Sequence, residues 1–153
     1  MAPDVEFTAL TTDNSIVWYN AQNLNSPIKT MDITGLVVGE ELVSIDYRPA
    51  SGQLYALGSS SRLYFLNEDS GAATPLGESS FSPQIEGENP SLDFNPTVDR
   101  IRLVTESGQN LRLHPELGTV VAEDGDINGG TNPRIGAVAY TNSMAGASST
   151  ELY

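Results

Sequence analysis

The residues best suited to chemistry are acidic. Asp124, Asp126 and Asn128 alternate and Gly129 follows, the D-x-D-x-N-G opening of a calcium loop. Calcium takes about six to eight oxygen ligands, and alternate oxygen-bearing side chains around a glycine-enabled bend supply several of them. Asn132 offers another, directly or through water. Calcium is therefore the cofactor this loop would take. The closing Glu of an EF-hand is missing, since Ile135 stands at the twelfth position, and no flanking helices are evident. A solvated acidic turn between repeats is the alternative reading of the same residues.

A second group is basic. Arg100, Arg102, Arg112 and His114 fall on one face of a predicted hairpin, and Ile101, Leu103, Leu111 and Leu113 on the other, because strand side chains alternate. The three arginines are drawn from only seven basic residues. Such a patch suits a carboxylate, a sulfated glycan or an acidic partner surface. The alternative is pairing with Asp99, Glu106 and Glu116 nearby. Asp46 and Asp93 each precede an aromatic residue on strands expected to line a central channel. A ring of carboxylates there would bind a cation. The third copy has Ala139, so hydrogen bonding to backbone near the following turn is the expectation. Trp18, Tyr19, Tyr55, Tyr64 and Phe65 would form either a sugar-stacking platform or packing between sheets.

Catalysis finds little support, and no catalytic residue is assigned. His114 is the only histidine, so it has no second histidine with which to share a metal, and there is no cysteine. No G-x-S-x-G serine context, phosphate-binding loop or dinucleotide fingerprint is present. With 20 acidic side chains some carboxylates will be neighbours in any fold, so a glycosidase pair cannot be read from sequence. The net charge of −13 disfavours nucleic acid and anionic membrane surfaces. No apolar run approaches the roughly 20 residues of a membrane span, and MAPDVEFTAL lacks the basic stretch and apolar core of a signal peptide.

The elements that must position these residues are short strands. Fourteen Gly and nine Pro, scattered with Ser, Thr and Asn between brief apolar runs, describe an all-β chain rich in turns. SIDYRPASGQLYALGSSSRLYFL (44–66) and SLDFNPTVDRIRLVTESGQNLRL (91–113) share one pattern of strand, Asp-aromatic pair, proline turn, strand, turn and strand. Phe7, Leu54, Ile101 and Leu152 hold the same place in the unit, at intervals of 47, 47 and 51 residues; Tyr47, Phe94 and Tyr140 are likewise equivalent. This predicts β-propeller-like blades, four-stranded antiparallel meanders, about three per chain. The whole of 1–153 reads as a single propeller-like domain with repeats 5–35 (partial), 42–77, 91–122 and 135–153 (partial). A two-sheet sandwich also uses short strands but does not repeat its turns so faithfully.

Lettering the strands of a blade A to D, the order is B-C-D, A-B-C-D, A-B-C-D and then A with a fragment of B. Strand A at 135–142 is expected to complete the 5–35 blade of another copy, through Val5, Phe7, Ala9, Ile135, Ala137, Val138 and Tyr140. The expected partner is thus the chain itself. Two copies would give a six-bladed ring, and a non-closing version a filament.

RPASGQLYALGSSSRLY, DFNPTVDRIRLVTESGQNLRL and GTNPRIGAVAYTNSMAGASSTELY closely resemble an uncharacterised bacterial family, domain of unknown function 4394. The resemblance covers nearly the whole chain. It implies a secreted, propeller-like repeat protein, extracellular or periplasmic, and brings no activity or catalytic residues with it. Family members generally continue past the LY motif, so this sequence, ending at Tyr153, looks like the N-terminal half; its DGDINGG loop is also shorter than usual. The expected function is a non-enzymatic structural or interaction module that self-associates and binds calcium. The alternatives are a lectin-like propeller that binds glycans or anions, and a propeller hydrolase, because fold alone does not decide function.

Overall fold

The structure is a computed structural model and describes residues 2–125, 127 and 134–153. Short runs of β-branched, aromatic and leucine residues, each cut by a Gly, Asn, Asp or Pro turn, become eleven strands among the described residues. They are β1 (Glu6–Leu10), β2 (Ser15–Asn20), β3 (Lys29–Asp32), β4 (Leu42–Tyr47), β5 (Leu54–Gly58), β6 (Arg62–Leu66), β7 (Ala73–Leu76), β8 (Ser91–Asn95), β9 (Arg100–Val104), β10 (Asn110–Leu113) and β11 (Val120–Glu123). Each strand pairs antiparallel with its neighbour in sequence. The result is three meanders, β1-β2-β3, β4-β5-β6-β7 and β8-β9-β10-β11. The chain is all-β, with propeller-like blades that do not close into a barrel. No helix long and apolar enough to cross a membrane occurs among the described residues.

The register confirms the repeat. Tyr47 faces Leu54, Phe94 faces Ile101, and Tyr140 faces Leu152, so each member of one equivalent set is opposite the corresponding member of the other.

The middle sheet is packed on both faces. Along β5 and β6 one set of side chains, Tyr55, Leu57 and Leu63, joins Leu92, Phe94, Ile101, Leu103, Leu111 and Leu113 of the third sheet. The alternate set, Leu54, Ala56, Tyr64 and Leu66, packs toward Ile16 of the first sheet. Tyr55 meets Phe65 and Phe94 edge-on at centroid distances of 4.8 and 5.0 Å. All of β5 is consequently buried. Burying a side chain of this size contributes about 1.5–3 kcal/mol, which makes these two seams the main source of cohesion between sheets. The third sheet alternates instead: Ile101, Leu103, Leu111 and Leu113 are fully buried, and the arginines between them face outward.

Two further contacts tie the first sheet to the second. Thr34 donates its N–H to Gly71 O at 2.9 Å and accepts from Ala73 N at 2.8 Å. Gly71, at φ 75°, has room for no side chain, because a Cβ would lie 2.2 Å from Asp32 O. The Glu40 carboxylate is buried and accepts from Ser59 Oγ (3.1 Å), Ser60 N (2.7 Å), Ser60 Oγ (2.5 Å) and Tyr64 OH (2.8 Å). Burial pushes this carboxyl up, but the hydrogen bonds outweigh it and hold Glu40 below its ordinary value. Gly58 makes the space for it, since a Cβ there would stand 2.5 Å from Glu40 Cδ. Gly58→Ala should therefore push the carboxylate off its donors and destabilise the fold by about 1–3 kcal/mol. Urea unfolding with an unchanged m-value and a lower midpoint is the expected result.

Candidate functional site

The first strands of the second and third sheets carry the same tetrad type, Ser44-Ile45-Asp46-Tyr47 and Ser91-Leu92-Asp93-Phe94. In an antiparallel pair every second residue bonds its partner strand and the others turn away. Arg48 N donates to Gln53 O, so by alternation Ser44 and Asp46 bond β5, whereas the N–H groups of Ile45 and Tyr47 turn to the open side. The same parity turns Leu92 and Phe94 of β8 away from β9. These N–H groups have no ladder partner, and side chains of the preceding strand take them instead. Leu92 N donates to Ser44 Oγ at 3.1 Å and Phe94 N to Asp46 Oδ2 at 2.8 Å. One repeat later Val138 N donates to Ser91 Oγ at 3.2 Å and Tyr140 N to Asp93 Oδ2 at 2.7 Å. Each Ser-x-Asp is a clasp that holds the next first strand.

Asp46 and Asp93 lie beside each other, and each perturbs the ionisation of the other. Burial raises the Asp46 carboxyl above its ordinary value although Phe94 N and Tyr47 N oppose the rise. Asp93 is pushed up to about 7, by burial first and then by the charge of Asp46 beside it. Two half-buried carboxyls in contact cannot both ionise cheaply, so one proton between them is the stable arrangement below neutrality. The carboxylates thus bond backbone: each takes an N–H of the next repeat, and Asp46 also takes Tyr47 N just ahead of its own turn.

The first sheet has no such strand. β1 pairs with β2 on one side, and among the described residues no strand lies on the other. Ala21 N donates to Val5 O and Thr11 N to Ser15 O, which fixes the parity: Phe7 and Ala9 bond β2, while the backbone groups of Glu6, Thr8 and Leu10 point outward. Where β4 and β8 stand in the other sheets, β1 has grooves. One of about 310 Å³ runs between Glu6, Phe7 and Thr8 on one wall and Ile45, Asp46 and Tyr47 on the other, with Leu54 at its floor. A second of about 370 Å³ opens at the far end, between Leu10–Thr12 and Glu41–Val43. Thr8 Oγ1 meets Tyr47 OH at 3.2 Å across the gap.

The residues expected to join copies are placed apart within the chain. Val5 and Phe7 are exposed and Ala9 half-buried on β1; Phe7 stacks on Tyr19 at 5.8 Å. Val138 is buried and Tyr140 half-buried against the third sheet, with Ile135 half-buried and Ala137 exposed. Tyr140 pairs with Leu152, and Ala139 and Thr141 bond Tyr153 and Glu151. Segment 135–142 is therefore hydrogen-bonded to residues 151–153 and not to Val5–Leu10.

The loop expected to hold calcium falls largely outside the described residues, which exclude Asp126, Asn128 and Asn132. Asp124 is described, and its carboxylate is occupied by guanidinium groups. Arg102 Nη1 binds Oδ2, and Arg112 Nη2 binds Oδ1 at 2.8 Å. These arginines hold Asp124 below its ordinary value against the opposing effect of burial. Of the arginine patch, Arg102 and Arg112 are the two that share this carboxylate. Arg102 also donates to Asn110 Oδ1 at 2.7 Å and to Tyr140 OH at 3.2 Å. Arg100 donates to Asp99 O at 2.8 Å, and His114 Nδ1 accepts from Glu116 N at 3.2 Å. Asp99 and Glu116 go to Arg48, and Glu106 to Arg134. Of the aromatic residues, Tyr55 and Tyr64 are fully buried and offer no face to a sugar.

A family model described as Domain of unknown function (DUF4394) matches residues 15–153. The chain belongs to that family. No curated protein matches it. The family supplies no residue roles, so the clasp and the open edge stand on geometry alone. Ser44 and Ser91 were not singled out from sequence; the signal for them is the Ser-x-Asp pair recurring 47 residues apart.

The shared proton has a measurable consequence. A carboxyl whose folded value is raised takes up a proton on folding, so its contribution is complete below about pH 4 and is lost as pH rises toward 7. Asp93→Asn keeps an acceptor for Tyr140 N and a donor for Asp46 at every pH. In thermal melts the variant should match the parent near pH 4.5 and exceed it by about 2–4 °C at pH 8, the shift that ~1 kcal/mol gives in a chain of this size. Parallel curves across that range would refute the shared proton.

Proposed function

We propose that this chain is a non-enzymatic structural and interaction module: a propeller segment whose first sheet is completed by one strand added at β1. The observation that carries the reading is the contrast between sheets. β4 and β8 occupy the inner position in two of them, and in the first the same position is a groove lined by the outward backbone of Glu6, Thr8 and Leu10. An unpaired edge next to apolar Val5 and Phe7 is a template for strand addition. The reading is supported further by the arginine-bearing face, where Arg102 and Arg112 are bound to the carboxylate of Asp124 in the chain itself.

The reading is tested by supplying the strand in cis. Grafting a copy of residues 42–52, β4 with its turn, directly ahead of Glu6 places an inner strand on β1 through the hairpin that already joins β4 to β5. The graft should raise Tm by several degrees and slow amide exchange at Glu6, Thr8 and Leu10. An unchanged Tm with those amides still exchanging freely would remove the reading.

A further inference from the structure

The strand-acceptor reading leaves open what fills the groove, and the clasps answer that. Resting on that reading, we propose that the β1 groove takes an extended segment bearing Ser or Thr, any residue, Asp and then an aromatic residue: a further repeat strand of the type of β4 and β8, presented by another stretch of polypeptide. A strand in this place must satisfy two neighbours. Its backbone meets the outward groups of Glu6, Thr8 and Leu10, which any sequence can do. Its side chains on the other side meet β4, whose Ile45 and Tyr47 line the groove with their N–H groups turned from β5.

Ile45 and Tyr47 correspond to Leu92 and Phe94, and to Val138 and Tyr140, in the two clasped repeats. In both, the strand before offers a hydroxyl to the first N–H and a carboxylate to the second. At the open end, among the described residues, Tyr47 N has only Asp46 Oδ1 of its own strand, at 2.8 Å. A Ser-x-Asp strand would extend the interface between β4 and β8 by one member with the same donors, acceptors and spacing.

The chain's own segment 135–142 lacks this chemistry. Ala137 and Ala139 stand where Ser44 and Asp46, or Ser91 and Asp93, stand in the other first strands. Their side chains are methyl groups and carry no acceptor for the N–H groups of a following strand. A second copy entering through 135–142 would bond β1 and leave the N–H groups of β4 unmet.

The full chain is titrated with three peptides: one of residues 89–97, NPSLDFNPT; the same with Ser91→Ala and Asp93→Ala; and one of residues 135–143, IGAVAYTNS. Binding is followed by amide exchange at Glu6, Thr8, Leu10, Ile45 and Tyr47. The first peptide should protect all five amides and bind about tenfold or more tightly than either of the others, the factor expected from two hydrogen bonds. Equal affinity of the first two peptides would overturn the proposed chemistry, and tighter binding of 135–143 would assign the groove to a second copy instead. If no peptide binds while the cis graft stabilises the chain, the proposal fails and the acceptor edge stands. If the graft fails as well, both fall.

Discussion

A sheet can satisfy the hydrogen bonds of its own strands, but it offers nothing to the outward N–H groups of its first strand. In an open meander those groups face water; in stacked sheets they face the next sheet and lose water. The backbone N–H groups of Leu92, Phe94, Val138 and Tyr140 are in that position, and each would cost about 1–3 kcal/mol if buried without a partner. Ser44, Asp46, Ser91 and Asp93 supply the missing acceptors. The apolar seams give cohesion, but they are non-directional. The clasps fix which strand lies beside which, and at what height, so they set the angle at which successive sheets are stacked.

Placing carboxylates there has a cost in solvation. Asp46 and Asp93 are drawn into contact because their strands are in contact, and both are raised as a result. Sharing one proton relieves the repulsion without giving up either backbone bond. Other acids of the chain are stabilised in the opposite sense: Asp99 and Asp124 sit below their ordinary values beside arginines, and Glu40 does so through hydroxyl and backbone donors. Lowering the pH therefore protonates groups that the fold prefers ionised, while raising it ionises a pair that the fold prefers half-protonated.

Much of the architecture was legible in the sequence. The interval between Phe7, Leu54 and Ile101, and the equivalence of Tyr47, Phe94 and Tyr140, reappear as register. LYALG and RLYFL carry apolar residues on both faces and belong to the sheet with neighbours on both sides, whereas the arginine-bearing face of the next sheet is the wetter one. Those features are local periodicity, which side-chain alternation converts directly into geometry. What was not legible depends on stacking. Arg48 reaches Asp99 and Glu116 across 51 and 68 residues, so no spacing rule could pair them. Asp124 is read from its place in a D-x-D-x-N-G run, and that its carboxylate also meets Arg102 and Arg112 depends on how the third sheet is paired, which no local spacing announces. At β1 the apolar Val5, Phe7 and Ala9 drew attention, although parity gives the free backbone groups to Glu6, Thr8 and Leu10.

At Asp46 the choice of aspartate over asparagine follows from the number of acceptor oxygens. Asp46 accepts from Tyr47 N through one oxygen, from Phe94 N through the other, and contacts Asp93 as well. An amide has a single acceptor oxygen and could not serve two N–H groups on opposite sides while meeting a third group. This double use belongs to the end of the row. Phe94 N and Tyr140 N are each taken by a carboxylate from the strand before, whereas Tyr47 N has no such strand and is covered by the carboxylate of its own neighbour. The open end is thus capped by the residue that also holds the next sheet. The protection is partial, because Asp46 reaches Tyr47 N, and the groove beside β1 remains lined by the backbone a further strand would pair.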